Sequence, residues 1–579
     1  MSDRGTTRRA FLGKAGVAAA AALGANTLGL TNLMAGEKAP SAVAVKRLQN
    51  SNSDAVARRN EAYQIRIGAA QEEKALDLPA HPDNGDEALY PNRIGSYSKG
   101  LPHNDLGEVD QAAYNTFLAA LASGVPSDFE KIPLGCADPS MQRRLVNPQA
   151  AYSYLLEGCD THAITMPPAP AFASAQTAAE AAELYWMALC RDVPFDQYGS
   201  NALTIAAAQD LSNFSDFRGP KEGGMVTANT LFRGDLPGSG VGPYISQFML
   251  MMVPYGAQPF DQLIRAHLAG DDHLSQYAAW LDVQKGCAAS VPNQFDPVHR
   301  YIYTGRVLAS FVQLDALAQA YFNACLIALT PPKPTGTFGM NAGFGGIGAH
   351  FDPNNPYFGS NPSKTQEGLG TFGPPHALAL MWDVSNHAVK AQWYQKWLIH
   401  RRLRPEAMGG RIHNTLIGNA QYPIDAEILN SPVLQRTFTQ NGTYLLTSAF
   451  PEGSPTHPSY GAGHATVAGA CVTILKALLD EDFVIPNPVV PSADGTALVP
   501  YVGPDLTLGN ELNKLATNIG FARTHGGIHW RSDNMESYFV GEALAISVLN
   551  DLRNTNNEDF AGYLLTKFDG TKIIVGQPG

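Results

Sequence analysis

Apolar residues recur at intervals of three and four along most of this chain, and the strict alternation of a half-buried strand is scarce. The clearest periodic runs span 177–192 (TAAEAAELYWMALCRD), 305–330, 376–402, 464–480, 510–522 and 533–552, and each predicts a helix. Pro and Gly gather between these runs, as at 331–346 and 485–504, and mark loops. The stretch from Gly336 to Gly348 is glycine-rich, but it lacks the GxxxxGK order of a phosphate-binding loop and no strand precedes it. It reads as an ordinary connection. There is no internal repeat, and no linker stands out between residues 60 and 560. The pattern therefore predicts an all-α chain, with residues 46–579 forming one large helical domain.

The first residues break from that pattern. Arg8 and Arg9 precede Phe11-Leu12, and an Ala-rich apolar run follows from Ala15 to about Leu30. Paired arginines before a short, weakly apolar stretch are the order of a twin-arginine export signal. The run is too short and glycine-interrupted for a membrane anchor. Residues 1–45 are therefore expected to be a targeting segment and linker, and the mature chain to be periplasmic or extracellular.

Composition narrows the function. The chain has 579 residues, 45% hydrophobic and 16% charged, which is globular. A formal net charge of −12 argues against a nucleic-acid partner, which would call for a basic field. Local clusters of basic residues are therefore informative. None of the six cysteines forms a CxxC pair, so a zinc or redox centre is not expected. Cys190, Cys325 and Cys471 sit in apolar helical runs and read as buried thiols. Cys136 and Cys159 lie in loop-like surroundings and are candidates for a pair in an exported protein.

Three segments place cationic and imidazole groups at helix ends. In the first, Trp393 through Pro405, Lys396 and Arg404 are eight residues apart, about 12 Å along a helix, so both long side chains can converge on one small ion. Pro405 is expected to end that helix at Arg404, and Trp393 lies one turn before Lys396 on the same face. In the second, His457-Pro458-Ser459-Tyr460-Gly461-Ala462-Gly463-His464 leads into a helix. Small residues there leave backbone amides open at a helix N-terminus, which binds anions. In the third, Arg523 closes one helix, Ser532 is the expected N-cap of the next, and Asp533 stands four residues after His529. Asp533 can accept from that imidazole and fix its tautomer; His525 has no such partner and reads as structural. Taken singly, each segment is as compatible with a solvated basic face or an ordinary helix start. Together they supply Lys396, Arg404 and Arg523 for one tetrahedral oxyanion, with the Gly463 amide as a further donor. His529 is then available to bond the central atom, and His464 to act as acid or base opposite it.

That order, K-x7-RP, then GH at a helix start, then R-x5-H, resembles the signature of the vanadium haloperoxidase and acid phosphatase superfamily, and is most similar to its algal-type bromoperoxidases. The likeness extends to residues 181–195, 232–237, 242–247 and 315–329, and covers roughly 90–555. It implies a helical fold built around two four-helix bundles and a vanadate cofactor. The chemistry it implies is oxidation of a halide by hydrogen peroxide, bromide or iodide ahead of chloride, to a hypohalous-acid-type agent that halogenates a small organic acceptor. Carried over, His529 would bond vanadium. Lys396, Arg404, Arg523 and the Gly463 amide would hold the vanadate oxygens. His464 would assist peroxide binding, Lys396 would polarise the peroxide, and His457 and Trp393 would lie near the halide. Asp315 would be a carboxylate that orients an active-site cation. A homodimer or larger homo-oligomer is implied as well. One departure stands out: the serine usual before the Gly-His pair is Ala462 here, and the usual proline before it is Gly461. The main rival reading is a phosphoester hydrolase with His529 as nucleophile, since phosphate and vanadate share a shape; the second is a non-enzymatic vanadate- or phosphate-binding protein.

Overall fold

The computed structural model describes residues 54–75, 77–331 and 346–576. The expected export signal and most of the Gly336–Gly348 loop lie outside the described residues. Helices of seven residues or more are labelled in chain order: α1 (Ala55–Lys74), α2 (Gln111–Ser123), α3 (Ala175–Leu189), α4 (Ala202–Asn213), α5 (Tyr277–Gln284), α6 (Gly305–Phe311), α7 (Gln319–Leu329), α8 (Pro374–Tyr394), α9 (Pro405–Leu416), α10 (Pro432–Asn441), α11 (Gly463–Leu478), α12 (Leu508–His525) and α13 (Arg531–Thr555). The described strands form two small antiparallel hairpins, β1 (Val489–Pro491) with β2 (Leu498–Pro500) and β3 (Tyr563–Thr566) with β4 (Lys572–Val575). The chain is mainly helical, as the periodicity predicts. Among the described residues no helix is long and apolar enough to cross a membrane.

Helix α11 is the centre of the architecture. It is enclosed around its whole circumference and largely apolar, and every residue except His464 is buried. Its small residues let neighbours approach closely. A Cβ on Gly469 would overlap the Tyr538 carbonyl of α13, and one on Gly541 of α13 would overlap the Thr466 carbonyl of α11. The two helices thus touch backbone to backbone through facing glycines. Helices α3, α7, α8, α12 and α13 complete the same apolar core. A second cluster, around Tyr97, Phe117 and Trp397, packs α2 beneath the chain that follows α8. Trp397 is fully buried there, with Tyr97 and Phe117 edge-on at 5.8 and 6.1 Å.

Four local expectations are corrected. The helix expected over 376–402 stops being α-helical at Tyr394; a π-helical turn spans Gln395–His400, and Arg401 then adopts a left-handed φ of 33°. Lys396 and Arg404 are therefore on different elements, and Arg404 is the N-cap of α9, whose first residue is Pro405. The helix expected over 305–330 is broken between α6 and α7, which puts Asp315 on a loop. The N-cap of α13 is Trp530, not Ser532, because the carboxylate of Asp533 reaches back to the Trp530 amide. Finally, Cys136 is bonded to Cys287, while Cys159, Cys190, Cys325 and Cys471 are free and buried. Cys159 is sealed in the core beside α13, out of reach of Cys136.

Candidate functional site

The open end of α11 and the segments before α9 and α13 meet at one point. Lys396 issues from the π-helical turn and is buried; its ammonium donates to the carbonyls of Pro458 (2.8 Å) and Ser459 (2.9 Å). A π turn inserts one residue into the helical register and commonly sits at a site for that reason. Burial, and then the neighbouring Arg404 charge, pull the Lys396 ammonium well below its ordinary value.

Arg404 is the hub. Its Nε donates to the His457 carbonyl (2.9 Å) and one terminal nitrogen donates to the Ile528 carbonyl (3.0 Å). The same nitrogen lies 3.1 Å from His529 Nε2, and the other lies 2.9 Å from His457 Nδ1. A guanidinium has only donors to offer, so both ring nitrogens meet it with lone pairs. Burial pushes Arg404 down to about 10, within a range where it stays charged at neutral pH.

His529 is defined from its other side. Its Nδ1 donates to Asp533 Oδ2 at 2.8 Å, and that carboxylate also receives the Trp530 amide and the Ser459 hydroxyl. Asp533 has no exposure at all. With the proton held on Nδ1, His529 Nε2 carries a lone pair toward the cations, the state required of a metal ligand or a nucleophile. Burial lowers the His529 imidazole far below its ordinary value, and Arg404, Lys396, Arg523 and His464 act in the same sense. His457 is likewise held neutral by burial and by Lys396 and Arg404. Its ring packs on Trp393 with centroids 4.9 Å apart.

Arg523 lies in the last turn of α12. It donates to the Val312 carbonyl at 2.9 Å and stands 5.3 Å from the centre of the Phe450 ring, and its buried Nε has no partner among the described residues. The break between α6 and α7 thus serves the site twice, giving Val312 to Arg523 and Asp315 to His464, whose Nε2 is 3.1 Å from Asp315 Oδ1. Gly463 opens α11 with a Cβ position 3.4 Å from the Trp393 ring. Ala462, its N-cap, has no side-chain cap, and the amides of Gly463, His464 and Ala465 meet no acceptor among the described residues. At Gly461 a Cβ would collide with the Ser537 hydroxyl and come within 2.8 Å of Met166 Cε, so this backbone has no room for a larger residue.

All ten residues singled out from the sequence are thereby joined by direct contacts or by their mutual charges. Sequence reasoning misses Arg402, Ser459 and Glu180. Arg402 looks like one more member of a basic run, yet it is 2% exposed and bridges Asp533 Oδ1 (3.0 Å) and Glu180 (3.3 Å). His525 is structural, as its lack of a nearby partner in sequence suggests: it faces the Tyr244 hydroxyl at 3.2 Å between Phe195 and Phe232, and burial pushes it down to about 3.

The chemistry of this donor set is specific. Three buried cations, open helix-start amides and an imidazole lone pair meet here, and among the described residues none of Lys396, Arg404 and Arg523 is hydrogen-bonded to a carboxylate. Such a set suits a small tetrahedral oxyanion whose central atom accepts a nitrogen, and the unpartnered Arg523 Nε and α11 amides are donors left over for its oxygens.

Comparisons with known proteins agree with this chemistry. A family model described as the VCPO second helical-bundle domain matches residues 425–558. The vanadium-dependent bromoperoxidase of Corallina officinalis is 35% identical, with 90% of this chain and 98% of the relative covered. That of Ascophyllum nodosum is 33% identical over 90% of this chain and 94% of the relative. The solved homohexameric structure of the second vanadate-dependent bromoperoxidase from Ascophyllum nodosum superposes with a TM-score of 0.81 at 29% identity, covering 95% of this chain and 98% of that one.

Proposed function

Since the chain belongs to the vanadium-dependent bromoperoxidase family of haloperoxidases, we propose that it oxidises bromide or iodide with hydrogen peroxide and delivers a hypohalous-acid-type agent to a small organic acceptor. When bound, vanadate supplies a Lewis-acid centre that activates peroxide without changing its own oxidation state. The observation that carries this reading is the lone pair of His529 Nε2, fixed by Asp533 on one side and presented to buried cations on the other.

Each residue then has a task. His529 Nε2 would bond the vanadium. Lys396, Arg404, Arg523 and the Gly463 amide would hold the oxygens, and the Lys396 ammonium, held in the site by the Pro458 and Ser459 carbonyls, would polarise the peroxide. His464, oriented by Asp315, moves the proton on the opposite side. His457, neutral and with its proton left on Nε2, offers an N–H to an incoming halide beside the Trp393 ring. Burial of Lys396, Arg404, Arg523, His457 and His529 limits bulk water and strengthens these interactions.

The finer architecture we infer is a pair of four-helix bundles with the site at the end of one. A homo-oligomeric assembly is supported by the homohexameric relative. Export through the twin-arginine route is supported by the Arg8-Arg9 segment and by a disulfide, which persists in oxidising compartments.

The test is halide oxidation by metal-free protein, with and without added vanadate, using peroxide and a phenol-type indicator. Iodide, bromide and chloride are compared, with phosphoester hydrolysis assayed on the same sample. Vanadate-dependent halogenation that disappears in His529→Ala is expected. Ester hydrolysis without halogenation would instead make His529 a nucleophile.

A further inference from the structure

Helix α3 carries two glutamates, Glu180 and Glu183, that take no part in the chemistry above. They stand one turn apart and are 3% and 0% exposed, in a helix that is otherwise largely apolar, and Gln176 one turn earlier donates to Glu180 at 3.2 Å. Buried carboxylates are costly unless they are paired and hydrogen-bonded. Both are paired, and their partners converge on the residues that follow His529. Glu183 takes a two-pronged ion pair from Arg531. Glu180 accepts from the Ser532 amide (3.2 Å), the Ser532 hydroxyl (2.8 Å) and Arg402 (3.3 Å).

Arg402 is shared. One terminal nitrogen donates to Asp533 Oδ1 (3.0 Å) and to the Ser532 hydroxyl (2.8 Å), the other to Glu180, and its plane lies 4.6 Å from the centre of the Trp530 ring. A buried chain of charges therefore runs from His529 Nδ1 through Asp533 and Arg402 to Glu180. Its members alternate in sign beyond the neutral imidazole. If packing alone were needed here, apolar side chains of the same size would serve as well or better.

We propose that Glu180 is a positioning residue for His529, acting through Arg402 and Asp533. By taking part of the Arg402 charge, Glu180 leaves negative density on Asp533 for the His529 Nδ1–H, and a stronger acceptor there makes Nε2 a better donor toward a metal. Without the Glu180 charge, Asp533 is the carboxylate still hydrogen-bonded to Arg402 among the described residues, and Arg402 draws more of that density away from the imidazole. Glu183 does not touch Asp533 or Arg402, so its pair with Arg531 anchors the start of α13 without tuning the ligand. The inference rests on the reading of His529 as the vanadium-bonding residue.

Glu180→Gln keeps the shape and removes the charge. Vanadate affinity is measured by calorimetry on the metal-free protein, the bound vanadium is followed by its NMR shift, and thermal unfolding of the metal-free protein is recorded. The expected result is a dissociation constant raised about 10- to 100-fold, the range for outer partners of metal-bound histidines, with a displaced vanadium resonance and little change in metal-free unfolding. Glu180→Asp is expected to recover much of the affinity, and Glu183→Gln to lower stability without moving the resonance. Should Glu180→Gln not fold, Ser532→Ala removes the hydroxyl that links Arg402 to Glu180; it is expected to weaken vanadate by about two- to tenfold, the worth of one hydrogen bond. Unchanged affinity and resonance in these variants, tighter binding, or equal effects of Glu180→Gln and Glu183→Gln would each overturn the proposal. A His529→Ala protein that binds vanadate as the parent does would overturn the reading of the site instead.

Discussion

His464 and Asp315 meet at 3.1 Å, Nε2 to Oδ1, across a gap in what periodicity alone would make one helix. Asp315 is nearly sealed while the His464 ring keeps some exposure, so the carboxylate holds the imidazole from behind and leaves its other face to the site. Asp315→Asn preserves the size and removes the anionic acceptor. The expected outcome is a fall in the halide oxidation rate of about 10- to 100-fold, with vanadate affinity much less affected. Rates measured at saturating vanadate decide the matter; an unchanged rate would remove His464 from the acid–base role.

Ala462 caps α11 without a side-chain bond, and its own amide is already used by the Asp533 carbonyl and the Ser537 hydroxyl. In Ala462→Ser the new hydroxyl is able to accept the Ala465 amide and to donate its proton to a vanadate oxygen. A cap of this kind adds roughly 1 kcal/mol to the helix, and a hydrogen bond to a charged acceptor about 1.5–3 kcal/mol to binding. The variant is therefore expected to melt higher and to bind vanadate about tenfold more tightly or better. Calorimetry and a melting curve separate the two effects. If neither moves, position 462 does not face the anion.

The bridge between Cys136 and Cys287 closes a loop with a sequence separation of 151. On the chain-entropy account a loop of that length is worth up to about 5 kcal/mol, since the cross-link restricts the unfolded chain. Reduction, or Cys136→Ser with Cys287→Ser, is expected to lower the unfolding midpoint in denaturant clearly. The remaining thiols are buried and offer no substitute pair. An unchanged midpoint would show that the unfolded chain is not limited by this loop.

How much of this is readable in the sequence follows from what each signal encodes. Periodicity locates α3, α11, α12 and α13 to within a few residues, and the start of α8 but not its end, because each buries an apolar face or, for α11, its whole surface. It cannot show the break that frees Asp315, since Leu314 to Leu317 keep an apolar rhythm through the loop. Nor can it show the π turn at Gln395–His400, within which Trp397 packs on Tyr97 and Phe117, residues about three hundred positions away in sequence. The residues proposed to hold the anion are legible because cations at helix ends have few uses in an acidic protein. Arg402 is not: its role depends on Glu180, and nothing local to the HRRLRP run names a partner from α3. The cysteine pairing escapes for the same reason, as two loops distant in sequence meet only in the fold.

His400 ends the π turn buried, with neither ring nitrogen hydrogen-bonded among the described residues and its ring edge-on to Tyr460 at 4.8 Å. Burial first, then the neighbouring His81 and Arg401, push it from an ordinary value of 6.5 down to about 3. The sign of the consequence follows from proton counting. Between those two values the unfolded chain binds a proton at this residue and the folded chain does not, so stability falls as pH drops through the window and is recovered as pH rises toward 6.5. The loss accumulates to a few kcal/mol at the acid end, on the order of 1.4 kcal/mol for each pH unit crossed within the window. His400→Phe keeps an aromatic ring against Tyr460 and removes the titration. At neutral pH, where His400 is uncharged in both states, the variant is expected to match the parent in denaturant unfolding. Between about pH 6 and pH 4 its stability should decline less steeply, by about one proton in the slope, while His103 and His525, both pushed to about 3 by burial, keep part of the acid sensitivity. Parallel acid limbs in the two proteins would mean that His400 takes up its proton in the folded state as readily as in the unfolded one.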